Sequence, residues 1–314
     1  MRTSDQDRPH GSTAGRGGAT VADVAGADAA GADVDVAPVA LRGTLPRSES
    51  VVADSEDLDP GFVPFSKIEG DLSTGWLIIC DHAENTLPER YGTLGLPQSE
   101  LCRHIGYDIG AKGVSERLAA LLGAPAVLSS FSRLLIDPNR GEDDPTLVMR
   151  LSDGSVVPGN ARADHDEIQY RLNRFYRPYD RAVIAAIETA IAAGHPPALI
   201  SIHSFTDNWR GTPRPWHAGI LWDEDQRLVR PIIEGLSCDP GLVVGDNEPY
   251  TGALRGDTMN RHGTDRGLAH ALIEIRQDLI ADEAGMAEWA GRLADLVSGL
   301  ADLPGLHDIL DRNT

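Results

Sequence analysis

Aromatic residues are scarce in this chain: five Trp, six Tyr and five Phe among 314 residues, or 5%. None of them precedes Phe62. Cysteine is scarcer still. Cys80, Cys102 and Cys238 are odd in number, far apart and in no CxxC spacing. That argues against a disulfide framework and against a cysteine zinc site, and makes reduced thiols in the cytoplasm the expected state. No apolar run approaches the roughly 18–20 residues of a membrane-spanning helix. Basic residues are few, 28 against 48 acidic, for a net charge of −20. They are scattered singly, so neither nucleic acid nor an anionic membrane surface is an expected partner. A GxSxG elbow, a Walker loop and a GxGxxG fingerprint are all missing.

What is present divides in two. Residues 1–60 are rich in Ala, Gly, Asp and Ser, as in Ala25-Gly26-Ala27-Asp28-Ala29-Ala30-Gly31. Such a stretch buries too little apolar surface to offset its ordering entropy, and it reads as a mostly disordered segment. It lacks the basic and apolar regions of a targeting signal. Within it, residues 34–41 could add one short strand to the body. The body, residues 61–314, is expected to form a single domain.

Strands and helices alternate along that body. Trp76-Leu77-Ile78-Ile79-Cys80 is a short apolar run with the look of a buried strand. Ile109, Val114, Leu118, Leu121 and Leu122 share one face of a helix over 106–122. Residues 125–128 and 133–136 read as extended, and 142–161 as a loop broken by Pro145, Gly154, Pro158 and Gly159. A long helical stretch runs over 164–193, with Asp164 and Glu167 as a capping box and a kink or break expected at Pro178. Strands follow at 197–202, 218–222, 241–245 and 267–275, with helices within 224–236 and at 284–300. This order predicts an α/β fold, a single three-layer domain with a mostly parallel mixed sheet and helices on both faces.

In open α/β sheets ligands gather beyond the carboxyl ends of the strands, and polar residues cluster at those ends here. Ile79 is followed by Cys80-Asp81-His82-Ala83-Glu84-Asn85, Ile136 by Asp137-Pro138-Asn139-Arg140, and Ile202 by His203-Ser204. Glu274 sits between Ile273 and Ile275 in the last strand. Two strand-end histidines with nearby carboxylates suit a zinc ion, or another divalent metal, with a coordination position left for water. Glu274 is then the candidate general base. Arg140 and Asn139, with Arg214, offer a bidentate fork and an amide to an anionic small substrate, and His262 lies in a polar segment within reach. Cys80, at a strand end, reads as packing rather than as a nucleophile.

These residues carry a resemblance. Asp81-His82-Ala83-Glu84-Asn85-Thr86-Leu87-Pro88 resembles the acid-His-Ala-Ser-Asn…Pro motif of the N-formylglutamate amidohydrolase family. In the family's order follow His104-Ile105-Gly106-Tyr107-Asp108-Ile109-Gly110-Ala111, Ser132-Arg133-Leu134-Leu135-Ile136-Asp137-Pro138-Asn139-Arg140, Ile202-His203-Ser204-Phe205-Thr206, Arg214-Pro215-Trp216-His217, Asn247-Glu248-Pro249-Tyr250 and Ile273-Glu274-Ile275-Arg276. The resemblance covers about residues 68–300. It implies a phosphorylase/hydrolase-like fold related to zinc carboxypeptidases and aspartoacylases, enzymes that cleave amides with a metal-bound water. It further implies a small anionic N-acyl amino acid substrate, N-formylglutamate-like, and a place in amino-acid catabolism. His82 and His203 match the two metal-binding histidines. The third ligand is left among Asp108, Glu84 and Asp81, because Asn85 stands where the wider group has Glu. Glu274 matches the base and Asn139-Arg140 the carboxylate clamp; for such a reaction Arg133 or Arg140 is the candidate donor to the oxyanion. The alternatives are a hydrolase of another N-acyl amino acid or small acidic peptide, and a catalytically inactive binding protein on the same fold.

Overall fold

A computed structural model describes residues 58–311. The disordered segment expected over 1–60, apart from its last three residues, and the strand expected within 34–41 lie outside the described residues.

Seven strands form the main sheet: β1 (Phe65–Ile68), β2 (Trp76–Cys80), β3 (Ala126–Ser129), β4 (Ala198–Phe205), β5 (Ala218–Leu221), β6 (Val244–Asp246) and β7 (His270–Arg276). Their spatial order is β1-β3-β2-β4-β7-β5-β6. The centre, β3-β2-β4-β7, is parallel; β1 joins β3 and β5 joins β7 antiparallel, and β6 runs parallel to β5. The sheet is therefore mixed and mostly parallel, as expected.

Alternation along the buried strands divides the core between two faces. Trp76, Ile78 and Cys80 of β2, with Ile200 and Ile202 of β4 and Ile273 of β7, pack against three helices: α1 (Ala111–Leu122), α4 (Val229–Ser237) and α6 (Glu283–Ser298). Leu77, Ile79, Leu199 and Leu272 point the other way, towards Phe175, Tyr179, Val183 and Ile187. Those residues belong to a continuous helical stretch made of α2 (His165–Arg171), a π turn (Leu172–Tyr176) and α3 (Arg177–Ala192). The result is the three-layer arrangement. Among the described residues no helix is long and apolar enough to cross a membrane.

Three local expectations are corrected. Pro178 does not break the long helix. It falls in the first turn after the π turn, where the wider helical ring accommodates the missing N–H and the bulk of the pyrrolidine. Residues 133–136 are a turn rather than a strand: Ser132 Oγ accepts from Leu134 N–H at 3.2 Å, and Leu135 N–H bonds back to Ser132 O at 2.9 Å. The helix expected from 106 starts at Ala111, after Gly110 with φ +81°. The edge strand β1, half-exposed along Phe65-Ser66-Lys67-Ile68, has too weak an apolar pattern to be read from sequence.

One row across the sheet positions the site. Register pairs His203 with Glu274, Glu274 with Gly219, and Gly219 with Gly245. Two side chains are thus followed by two positions with none. The segment after β6 fills that gap: a Cβ on Gly219 would lie 1.9 Å from the carbonyl oxygen of Glu248, and one on Gly245 2.6 Å from it. Asn247 fastens the segment by accepting, through Oδ1, from Trp222 N–H at 2.9 Å and Gly252 N–H at 3.0 Å. Gly219→Ala should therefore push the Glu248–Tyr250 segment off the sheet and destabilise the protein by roughly 1–3 kcal/mol, the usual range for overpacking. Thermal melting should read this as a lower Tm; an unchanged Tm would mean the segment shifts freely.

Candidate active site

The buried polar residues converge at the carboxyl end of the parallel centre. His82 follows β2, His203 and Glu274 lie in β4 and β7, and Asp108 precedes α1. Asp108 is brought in by its own backbone, whose N–H donates to His82 O at 2.9 Å. Its Oδ2 lies 2.7 Å from His203 Nδ1 and 3.3 Å from His82 Nδ1, and also accepts from Ser204 N–H at 3.3 Å. The two rings meet edge to face, with centroids 4.9 Å apart.

The far nitrogens of both rings are held by further acids. His82 Nε2 lies 2.7 Å from Asp137 Oδ1, and His203 Nε2 lies 3.3 Å from Asp81 Oδ2. Asp81 is itself fixed by three hydroxyl donors: Tyr179 at 2.8 Å, Thr258 at 2.9 Å and Ser201 at 3.3 Å. Arg133 donates to Asp108 Oδ1 at 3.3 Å and to Asp137 Oδ2 at 3.1 Å. Asp81, Asp108, Asp137 and both histidines are almost completely buried. Burial opposes charge on these acids, but the imidazoles and their hydrogen bonds outweigh it, and all three carboxyls fall below their ordinary range. Burial likewise opposes charge on His203, yet Asp108 and Asp81 raise it well above a free histidine.

Glu274 differs. It is buried, and its Oε2 has no hydrogen-bond partner among the described residues. Burial pushes its carboxyl up to about 7. It lines a cavity of about 590 Å³ together with His82, His203, Asp108, Arg133 and Arg140.

Of the residues singled out in the sequence, His82, His203, Asp108, Glu274, Arg133, Asn139 and Arg140 are brought to this cavity. Asn139 Oδ1 accepts from Thr258 N–H at 2.9 Å, which orients its amide. Arg214, offered to the substrate, is not among the lining residues; it stands behind them, donating to Thr206 Oγ1 at 3.0 Å and lying against the rings of Tyr250, Trp209 and Phe205. Two more residues are not brought in. Glu84, offered as a metal ligand, pairs with Lys112 and accepts from Thr86 Oγ1 at 3.0 Å; one residue beyond Ala83, it points to the surface. His262, offered to the substrate, is buried against Asp180 Oδ1 at 2.9 Å, because α5 (Thr258–His262) turns it towards α3. Sequence reasoning gave Asp137 no role, although it follows the apolar Leu134-Leu135-Ile136 just as Asp81-His82 follows β2.

The sequence model of N-formylglutamate amidohydrolases matches residues 74–281. That is most of the described chain. The protein belongs to the N-formylglutamate amidohydrolase family. With the family comes its reaction class: it is a hydrolase of amide C–N bonds. Among solved structures, gene product Atu2144 from Agrobacterium tumefaciens is similar at 34% identity with a TM-score of 0.70, the match covering 76% of this chain and 94% of that one. An N-formylglutamate amidohydrolase from Ralstonia eutropha JMP134 shares the fold at 23% identity and a TM-score of 0.55, covering 77% of this chain and 98% of its own. No curated protein sequence matches.

In this family member the donor set suits a divalent metal. His82, Asp108 and His203 are all buried, and their ligand atoms lie within 4.8 Å of one another. Two imidazoles and a carboxylate are a catalytic zinc set. Asp137 and Asp81, behind the Nε2 atoms, are the acids that fix the tautomer and orientation of such ligands. The unpartnered Glu274 oxygen faces the same cavity. Asp137→Asn and Asp81→Asn should each weaken zinc binding by about 10–100-fold. Competition against a chromophoric chelator measures this, with circular dichroism to verify folding; undiminished affinity would deny both acids that role.

Proposed function

We propose that this protein is a metal-dependent amidohydrolase that cleaves an N-acyl amino acid of the N-formylglutamate type, to glutamate and formate in that case. The observation that carries this reading is one cavity holding a buried His-Asp-His donor set and a buried carboxylate with one unpartnered oxygen in β7, with two arginines beside them. His82, His203 and Asp108 would hold the metal, zinc being the first candidate. When bound, such an ion polarises a carbonyl and lowers the pKa of water to about 7.

The chain's own residues do the rest. Glu274 accepts the proton of the attacking water and returns it to the amide nitrogen as the C–N bond breaks. Arg133, fixed by Asp108 and Asp137, brings positive charge to where the oxyanion develops. Arg140 sits 3.8 Å from Asp137 and 3.9 Å from Asp144, at long range from both. Its fork, with the oriented amide of Asn139, is disposed to receive the substrate carboxylate.

Chelation tests the reading directly. The metal-depleted protein should lose hydrolysis of N-formylglutamate and regain it on adding zinc; full activity without metal would refute the metal dependence. Glu274→Gln should lower kcat by about 10²–10⁴-fold, the usual worth of a positioned base. The base must be ionised to accept a proton, and burial pushes Glu274 up to about 7. The wild-type kcat/KM should therefore fall as pH drops through about 7, or lower with the metal bound, because a cation favours the carboxylate. A pH–rate profile checks the limb, which should be missing from the residual activity of Glu274→Gln.

A further inference from the structure

The cavity extends beyond what an N-formyl group needs. Pockets of about 300–1,000 Å³ bury drug-sized ligands, and this one is about 590 Å³; N-formylglutamate is much smaller. The surplus lies along one wall. Met149, Trp209, Tyr250 and Leu254 supply its apolar surface, with the polar His104, Ser152 and Asp153 among them; the residues assigned to the reaction and to the carboxylate are polar.

This wall is built and held separately from the Asn139–Arg140 end. Trp209 sits in a short ribbon pairing Asn208–Trp209 with Thr212–Pro213. Its indole has three neighbours: the His104 ring meets it edge-on at 6.3 Å, and the Arg214 and Arg210 guanidinium groups lie 5.3 and 5.4 Å from its centroid. Arg214 also lies 5.0 Å from the Tyr250 ring, tying the ribbon to the segment seated on Gly219 and Gly245. Arg140 reaches instead towards Asp137 and Asp144. A rigid aromatic anchor contributes contact area with little loss of conformational entropy. With a formyl substrate the anchor would meet only water.

Building on the function proposed above, we infer that the preferred substrate is an N-acyl amino acid with an apolar acyl chain of several carbons, packed on Trp209 and Met149. The reaction is unchanged in form. Water adds its hydroxyl to the acyl carbon and its proton to the nitrogen, the C–N bond breaks, and a fatty or aryl carboxylate leaves with the free amino acid.

A panel of N-formyl-, N-acetyl-, N-hexanoyl- and N-benzoyl-L-glutamate, assayed with the zinc-loaded full chain, tests this. The expected result is a kcat/KM at least about tenfold higher for the hexanoyl or benzoyl compound than for the formyl one, since methylene-scale differences in an apolar pocket are worth about that much or more. Trp209→Ala, and independently Met149→Trp to fill the wall, should each shrink that ratio about tenfold. Calorimetry on Glu274→Gln should show the same order in Kd without turnover. Highest kcat/KM with N-formylglutamate, or a ratio indifferent to both variants, overturns the inference and leaves the proposed function standing. Hydrolysis of none of the four overturns both.

Discussion

A single carboxylate, that of Asp108, lies against two imidazoles, and much of the molecule is arranged so that it can be buried there. Charges taken out of water are tolerated only where partners surround them. Here the partners come from everywhere in the fold. Two central strands supply the histidines, the turn at Ser132 supplies Arg133 and Asp137, and the end of β2 supplies Asp81. The long helix supplies the Tyr179 hydroxyl that fixes Asp81. The π turn matters in this light, because it lies just before the helix that presents Tyr179. The cluster is rich in acid. A dication is the natural complement to three buried carboxylates and two imidazoles in contact.

The same acidity bears on recognition. The chain carries a net charge of −20, yet its proposed substrate is an anion. Arg133 is engaged by Asp108 and Asp137, so its charge serves the cluster first. Arg140 is the less committed of the two, at long range from both its acids. Under the proposed function the attraction of an anionic ligand would be local, set by Arg140, the Asn139 amide and the metal, against the field of the protein as a whole.

Much of this was legible in the residues. His82, His203 and Glu274 stand at or in apolar strand runs, where strand polarity alone delivers them to one edge of the sheet. Asp108 emerged from a motif rather than from periodicity, since its place depends on one backbone hydrogen bond to His82. What the sequence could not resolve was role. An acid next to a histidine can bind a metal or can orient the imidazole, and Asp81 and Asp137 differ from Asp108 only in which ring nitrogen they face. Glu84 and His262 had the right chemistry in the right neighbourhood, but each points away by one turn of the chain, to Lys112 and to Asp180. Pro178 was read as a kink or a break because helix rules assume an α-helical ring throughout. The apolar surface went unread because Met149, Trp209, Tyr250 and Leu254 come from three separate segments, none with a pattern of its own.

The row His203–Glu274–Gly219–Gly245 gives the site an unusual division of labour. The height of the Glu248–Tyr250 segment above the base is set by main chain resting on main chain, with two glycines beneath it. The Tyr250 side chain takes no part in that contact. Residue 250 is free to vary the company a substrate keeps, while the distance between wall and base stays fixed. Diversification of substrate range along such a segment is decoupled from the chemistry it overlooks, and a lineage could explore new acyl groups there without relearning how to break the bond.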